Sequence, residues 1–382
     1  MVMNRANPFT PGYGLTPPHL AGRGEQQNLL AQRVDSMNKG KSVNSVVMYG
    51  PRGMGKTVLL AWLEDYCQKA KVKSLTTTPS IALKSTDDLA RVLLPPSWLP
   101  DEFRVATGGW LKMEMSWLNP KTKKQGTLED HLVAACKNQP RALLVDEAHD
   151  PVNPENYKEF LQMAQTVARK APFLLVLAGT PGLEQLLRTV GATFIERGER
   201  IGIGLLDEAS AAEAIRVPLQ SHDISIQDKA LSHVIHHAQC YPFFLQQWGE
   251  ALYAQTEASG TRELTQQDAT TLEADVQTKR VGFYDSRYEA LDDNPELLSA
   301  AHAIACAFKD QQSLDRPTLS RIIEDSLNNN PPDPTSRTAK AQELTKELNR
   351  IDFVWKPPNS SRMVPGIPSF MNYVQDNYSG HS

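Results

Sequence analysis

Strand-like stretches punctuate the first half of the chain: the mainly apolar SVVMY (45–49), ALLVD (142–146), FLLVLAG (173–179) and IGIGLL (201–206), and the more polar VKSLTT (72–77). Apolar residues at successive positions predict strands buried on both faces. Stretches with a 3.6-residue period lie between them and predict helices over 56–70, 85–94, 127–138, near 155–170, and a short one from Pro181. That alternation predicts an α/β fold, a parallel five-stranded sheet with helices on both faces. AGRGEQQNLLAQRVDSM, from residue 21, is helical in pattern, whereas residues 1–20, with Pro8, Pro11, Pro17 and Pro18, read as an extended arm. Residues 95–126, with Pro95, Pro96, Pro100, Gly108, Gly109 and the basic run KTKK, interrupt the alternation and read as an insertion. Its Trp98, Trp110 and Trp117 form either a partner surface or a small satellite core. After residue 207 strand signals stop, and helices at about 208–218, 226–239, 243–256 and 265–280 predict an all-helical subdomain, 208–282. Residues 283–382 mix helices with a strand pair, DFVWKP and SRMVPG, joined by the turn-forming PPNSS; PPDPTSR reads as a loop.

Composition adds exclusions. The 382 residues are 40% apolar and 22% charged, enough for two or three globular domains. A net charge of −4 gives no global attraction to nucleic acid or to an anionic membrane. No run approaches the roughly 18 apolar residues of a membrane span, and MVMNRANPFTPGYG lacks the apolar core of a secretory signal, so the expectation is a cytoplasmic protein with no membrane contact. Cys67, Cys136, Cys240 and Cys306 have no CxxC spacing and read as reduced thiols.

The chemistry concentrates after the first strand. GPRGMGKT fits G-x-x-x-x-G-K-[ST], between a strand and a helix as that motif requires. Its backbone, from Gly50 through Pro51, Arg52, Gly53, Met54 and Gly55 to Lys56, Thr57 and Val58, would wrap a phosphate chain, with Lys56 on the outer phosphates and Thr57 on Mg²⁺. RALLVDEAHD supplies the acidic partner: Asp146 at a strand's carboxyl end for the metal, Glu147 to orient and deprotonate an attacking water. His149 either couples nucleotide state to a partner or is a solvated turn residue. His233, His236 and His237 form an HxxHH cluster whose first two share a helix face, with no carboxylate at a recognisable spacing, and read as an ordinary helix face.

GPRGMGKT, LLVDEAH, LVLAGTP and FIERGER in this order resemble the AAA+ P-loop ATPases, in the branch of origin-recognition initiators, transposition regulators and STAND signalling ATPases, over roughly residues 8–280. The resemblance implies a P-loop ATPase core (21–207), a helical lid (208–282) and a winged-helix-like α+β domain (283–382), with ATP and Mg²⁺ as cofactors. It implies a sensor role for Thr180, which, with Pro181, also suits a helix N-cap and first helical residue. It implies that Arg197 or Arg200 reaches a neighbouring subunit's site. Leu20, Ala21 and Gly22 would line the adenine pocket, or the arm merely covers the sheet, and Arg23 is structural. HHAQCYPFFLQQWGEALY lacks the arginine that many such lids carry and resembles the proline-bearing version, which puts Pro242 near the nucleotide as a shape contact.

In DNA-binding examples of this branch the third winged helix enters the major groove. Residues 283–382 carry 10 Lys and Arg against 14 Asp and Glu, while 336–350 are locally basic, so duplex DNA and a protein both stay open as partners. The functional expectation is an ATP-hydrolysing, self-associating switch that regulates a protein or DNA partner. The alternative is an ATP-stabilised scaffold or DNA-tethering regulator with negligible turnover.

Overall fold

The structure is a computed structural model and describes residues 6–12, 16–79, 117–118, 125–126, 128–192 and 198–378. Helix α1 (Gly24–Asn38) leads into strand β1 (Val46–Tyr49), helix α2 (Lys56–Lys69) and strand β2 (Lys73–Thr77). The helix expected at 85–94 lies outside the described residues. Of the expected insertion, only the antiparallel pair β3 (Trp117–Leu118) and β4 (Gln125–Gly126) is described. Then come α3 (Leu128–Asn138), β5 (Arg141–Val145), α4 (Pro154–Lys170), β6 (Phe173–Gly179), α5 (Gly182–Thr189) and β7 (Glu199–Gly202).

The five long strands form one parallel sheet in the order β2-β5-β6-β1-β7. Successive residues of each strand serve opposite faces. Val47, Tyr49, Leu143, Val145, Leu175 and Leu177 pack beneath α3, α4 and α5, while Val46, Met48, Leu144, Leu174 and Val176 join α1 and α2 on the other side. Both faces of the central strands β1, β5 and β6 are therefore apolar, which is why these read as unbroken runs, whereas the edge strands β2 and β7 are more polar and partly exposed. β7 starts two residues before the expected 201–206 and stops at Gly202. Its partner β1 ends at Tyr49, so beyond Ile203, whose N–H reaches the Tyr49 carbonyl, nothing remains to pair with.

The lid consists of α6 (Glu208–Gln220), α7 (Asp228–Ala238), α8 (Pro242–Ser259) and α9 (Gln266–Asp292). It does contain strands: β8 (Ser225–Ile226) pairs in parallel with β9 (Glu263–Leu264). α9 does not stop at 280. Gly282 costs about 1 kcal/mol in a helix, but Tyr284 and Leu291 are buried beyond it, Tyr284 stacking on Phe370. Burial of those side chains outweighs the local penalty.

The C-terminal part contains α10 (Pro295–Asp310), β10 (Leu314–Asp315), α11 (Arg316–Ser326), α12 (Pro334–Arg350), β11 (Val354–Trp355), β12 (Arg362–Pro365) and α13 (Pro368–Asn377). The expected strand pair is a three-stranded antiparallel sheet, β10-β12-β11, because Leu314 and Asp315 pair on the free side of β12. Half of PPDPTSR is helix, not loop: the Asp333 carboxylate accepts from Ser336 N–H and starts α12 at Pro334. This part lies against the sheet's carboxyl end, with Trp355 edge-on to Tyr49 at 6.5 Å. Among the described residues no helix is long and apolar enough to cross a membrane.

Candidate nucleotide-binding site

The loop between β1 and α2 is shaped by its glycines. A Cβ on Gly50 would lie 1.9 Å from the Ile203 carbonyl oxygen, so only glycine permits this approach to β7. Gly55 takes φ 92° at the start of α2, a left-handed conformation that other residues adopt at a cost. No side chain caps α2, so the N–H groups of its first turn remain available to an anion at the positive end of the helix.

Lys56 is buried and donates from Nζ to the carbonyls of Gly50 (2.7 Å) and Pro51 (2.8 Å). Burial pushes its pKa down. Thr57 Oγ1 donates to Asp146 Oδ2 at 2.7 Å, and Asp146 Oδ1 accepts from Glu147 N–H at 2.9 Å. A hydroxyl and a carboxylate held this close, beside a helix N-terminus, are a donor set suited to Mg²⁺. Burial, and then the neighbouring Asp146 charge, push the Glu147 carboxyl above its ordinary pKa.

His149 is not a solvated turn residue. Its side chain is 13% exposed; Nδ1 accepts from Thr180 N–H (3.3 Å), and Nε2 lies 3.4 Å from Glu147 Oε2. Burial lowers its pKa to about 4, so the imidazole is neutral, with its proton on Nε2 toward Glu147. Thr180 does not cap α5: Pro181 holds that position, and no side chain caps the helix. The Thr180 hydroxyl is buried and makes no hydrogen bond.

A cavity of about 300 Å³ opens over the loop. Leu20, Ala21, Pro242, Glu147 and the stretch from Arg52 to Val58 line it, while Gly50, Pro51, Asp146 and Thr180 are not part of that lining. Gly22 is turned away against Leu206 and Ser210. Arg23 donates to the carbonyls of Met54 (3.1 Å) and Gly204 (2.6 Å), joining the loop to the strand-to-lid connection; burial lowers its pKa to about 10. The arm covers the lid, not the sheet: Phe9 is buried against Gly249 of α8, and Thr10 lines the cavity. Arg197 lies outside the described residues, and the Arg200 guanidinium pairs with Glu184 of its own chain at 3.1 Å.

Several residues at this site were not among those expected from the sequence. Tyr241 donates its hydroxyl to the Arg52 carbonyl. Phe283 and Arg287, on the extension of α9, complete the cavity wall and supply a cation that the start of α8 lacks. Asp352, before β11, is 4% exposed at its side chain and accepts from Arg52 N–H (3.1 Å) and the Arg52 guanidinium (3.3 Å). Burial pushes its carboxyl pKa up, against the pull of Arg52 and Lys56. Only Tyr241, beside Pro242, was within reach of the motif.

Residues 40–187 match the family model of an AAA domain. No curated protein matches the sequence. Among solved structures, the ORC2 protein of Aeropyrum pernix, in ADPNP–ADP complexes, aligns over 96% of this chain and 97% of its own, at 12% identity and a TM-score of 0.56. A Walker-type ATPase of Pyrococcus abyssi aligns over 94% and 99%, at 12% identity and a TM-score of 0.56. CDC6P of Pyrobaculum aerophilum aligns over 96% and 97%, at 13% identity and a TM-score of 0.50. Residues 40–187 thus resemble an AAA domain, and the chain as a whole has the fold of the Aeropyrum pernix ORC2 protein and of CDC6P from Pyrobaculum aerophilum.

Proposed function

We propose that this chain binds and hydrolyses ATP and works as a nucleotide-controlled switch whose C-terminal part answers to the phosphate loop. The observation carrying this reading is the buried Asp352 carboxylate on Arg52 N–H. A phosphate bound in the loop would compete for the same donor and repel the same carboxylate. Nucleotide binding and docking of residues 283–378 therefore oppose each other, a coupling free energy between two sites.

The chain's own groups suit hydrolysis. Lys56 would exchange two backbone carbonyls for phosphate oxygens, and Thr57 with Asp146 would hold Mg²⁺, whose charge neutralises the phosphates when bound. Glu147, with its raised pKa, would take the proton of the attacking water. The free Thr180 hydroxyl would orient that water, and neutral His149 would hold Glu147 in place by donating from Nε2. Self-association would bring Arg197 or Arg200 into a neighbouring site, where a cation stabilises developing charge. A protein partner is favoured over duplex DNA at 336–350: Lys340 pairs with Glu296 (3.2 Å) and Glu343 (3.4 Å), and Arg350 with Glu347.

The test is steady-state ATP turnover per chain across protein concentration, with and without duplex DNA. Lys56→Ala should lose ATP binding and turnover together; Glu147→Gln should bind ATP while turnover falls at least 100-fold. Turnover rising with concentration establishes an assembly-dependent ATPase. Bound ATP with no turnover in the wild type would reject hydrolysis and leave the scaffold reading, and a DNA-stimulated rate would overturn the preference for a protein partner.

A further inference from the structure

In the lid, far along the chain from the nucleotide loop, His233 and His237 stand one turn apart on α7, their ring centroids 4.3 Å apart. Glu273, on α9, faces both. His233 Nε2 lies 3.3 Å from Glu273 Oε2, and His237 Nδ1 lies 3.4 Å from Glu273 Oε1. All three side chains are partly buried, and the candidate ligand atoms lie within 4.8 Å of one another. The sequence pointed to His233 with His236 and found no carboxylate. The pair is instead spaced i, i+4, and the carboxylate arrives from another helix 36 positions beyond His237.

We infer that His233, His237 and Glu273 form a binding site for a zinc-type divalent cation that ties α7 to α9. The separations carry the argument. Charge-assisted N–H···O bonds run at about 2.7–2.9 Å, and neither contact is a hydrogen bond; His233 Nε2 is shielded from solvent and makes none at all. A tetrahedral zinc with bonds of about 2.0–2.1 Å places neighbouring ligands roughly 3.3–3.4 Å apart. Each Glu273 oxygen thus stands from its own imidazole, Oε2 from His233 and Oε1 from His237, at the edge length of a zinc tetrahedron and beyond that of a good hydrogen bond. Two imidazoles and a carboxylate form a recurrent zinc set, and the partly exposed side of the cluster leaves room for a water as fourth ligand. The competing cation, the Arg280 guanidinium, is directed elsewhere: Nη1 donates to the His237 carbonyl at 2.7 Å, and the group lies 4.5 Å from the Phe244 ring centroid. The expected effect is mechanical, a cross-link between the second and fourth lid helices.

The experiment uses the untagged full chain without nucleotide, dialysed against Zn²⁺ and analysed for bound metal and thermal midpoint. One zinc per chain is expected, with a midpoint rise of about 3 °C at a hundredfold excess over Kd. Glu273→Gln, which keeps shape, and His237→Ala should each weaken binding at least tenfold and abolish the rise. Cys306→Ser, which removes a separate His302–Cys306 contact of 3.5 Å, should retain both. Co²⁺ in place of Zn²⁺ should give the visible absorption of a tetrahedral site, absent in Glu273→Gln. Circular dichroism verifies the fold of each variant, and if His237→Ala fails to fold, Glu273→Gln decides. No bound zinc in the wild type, or unchanged binding in folded Glu273→Gln, overturns the assignment.

Discussion

His149 joins the ends of two neighbouring strands, accepting from Thr180 after β6 and facing Glu147 after β5. Its folded pKa, about 4, lies below the ordinary value of 6.5, so between those values the unfolded chain binds a proton that the folded chain does not. Stability from this group is complete above pH 6.5 and is lost as pH falls toward 4, by of order 2 kcal/mol once solvent screening is allowed for. His149→Asn, which still offers an acceptor to Thr180 N–H, should flatten that part of the stability profile, measured by urea unfolding between pH 4 and 7; an unchanged slope would reject the assignment. The same variant should lower ATP turnover while leaving ATP affinity within about twofold, because it positions Glu147 and touches no phosphate. The legible part of the site was the local part. Gly50 to Val58 form one local stretch, and Asp146-Glu147 is one dipeptide, so spacing alone singled them out as candidates. The Thr180 contact of His149 and the Arg52 contact of Asp352 span 31 and 300 positions, and no local pattern encodes such contacts.

At the scale of elements, helices and strands of the core were readable because each buries a regular face. The misread boundaries are those that tertiary contacts decide: the length of α9, the early start of β7 and the β8–β9 pair. α9 begins at a capping box in which Thr265 Oγ1 accepts from Asp268 N–H and Asp268 accepts from Thr265 N–H. Thr265→Ala should destabilise the chain by about 1 kcal/mol in chemical denaturation. The arm is held by shape. A Cβ on Gly249 would lie 2.1 Å from Phe9 Cδ1, so Gly249→Ala, which should favour α8 by up to about 1 kcal/mol, must expel the Phe9 ring. The expected outcome is faster proteolysis within residues 6–12 and weaker nucleotide binding, since Thr10 lines the cavity. Equal cleavage rates in variant and wild type would show that the ring shifts without releasing the arm.

At the scale of the whole molecule, one apolar cluster runs from the α1–α2 side of the sheet through the lid into the C-terminal helices, whereas the cluster on the opposite face reaches the C-terminal part through Trp355. The two attachments differ. The first is continuous with α9 and should persist through any nucleotide cycle. The second is a small patch: Trp355 against Tyr49 and Gly204, Pro358 over Gly202, and Asp352 on the phosphate loop. In the proposed switch, a bound phosphate would act on that patch through the donor it shares with Asp352. Asp352→Ala removes a buried carboxylate whose raised pKa marks it as costly to hold, and leaves behind only a partly exposed Arg52, so the fold should survive. Nucleotide affinity should then rise roughly 5- to 150-fold, the usual span of such couplings. Trp355, 5% exposed in the docked arrangement, reports the motion. The wild type should show a red-shifted emission component on ATP addition that is absent in Trp355→Phe, and Asp352→Ala should show it before any ATP is added. If ATP binds without moving Trp355 emission, and Asp352→Ala binds it no tighter, the contact with Arg52 is structural and the switch must be sought in the lid.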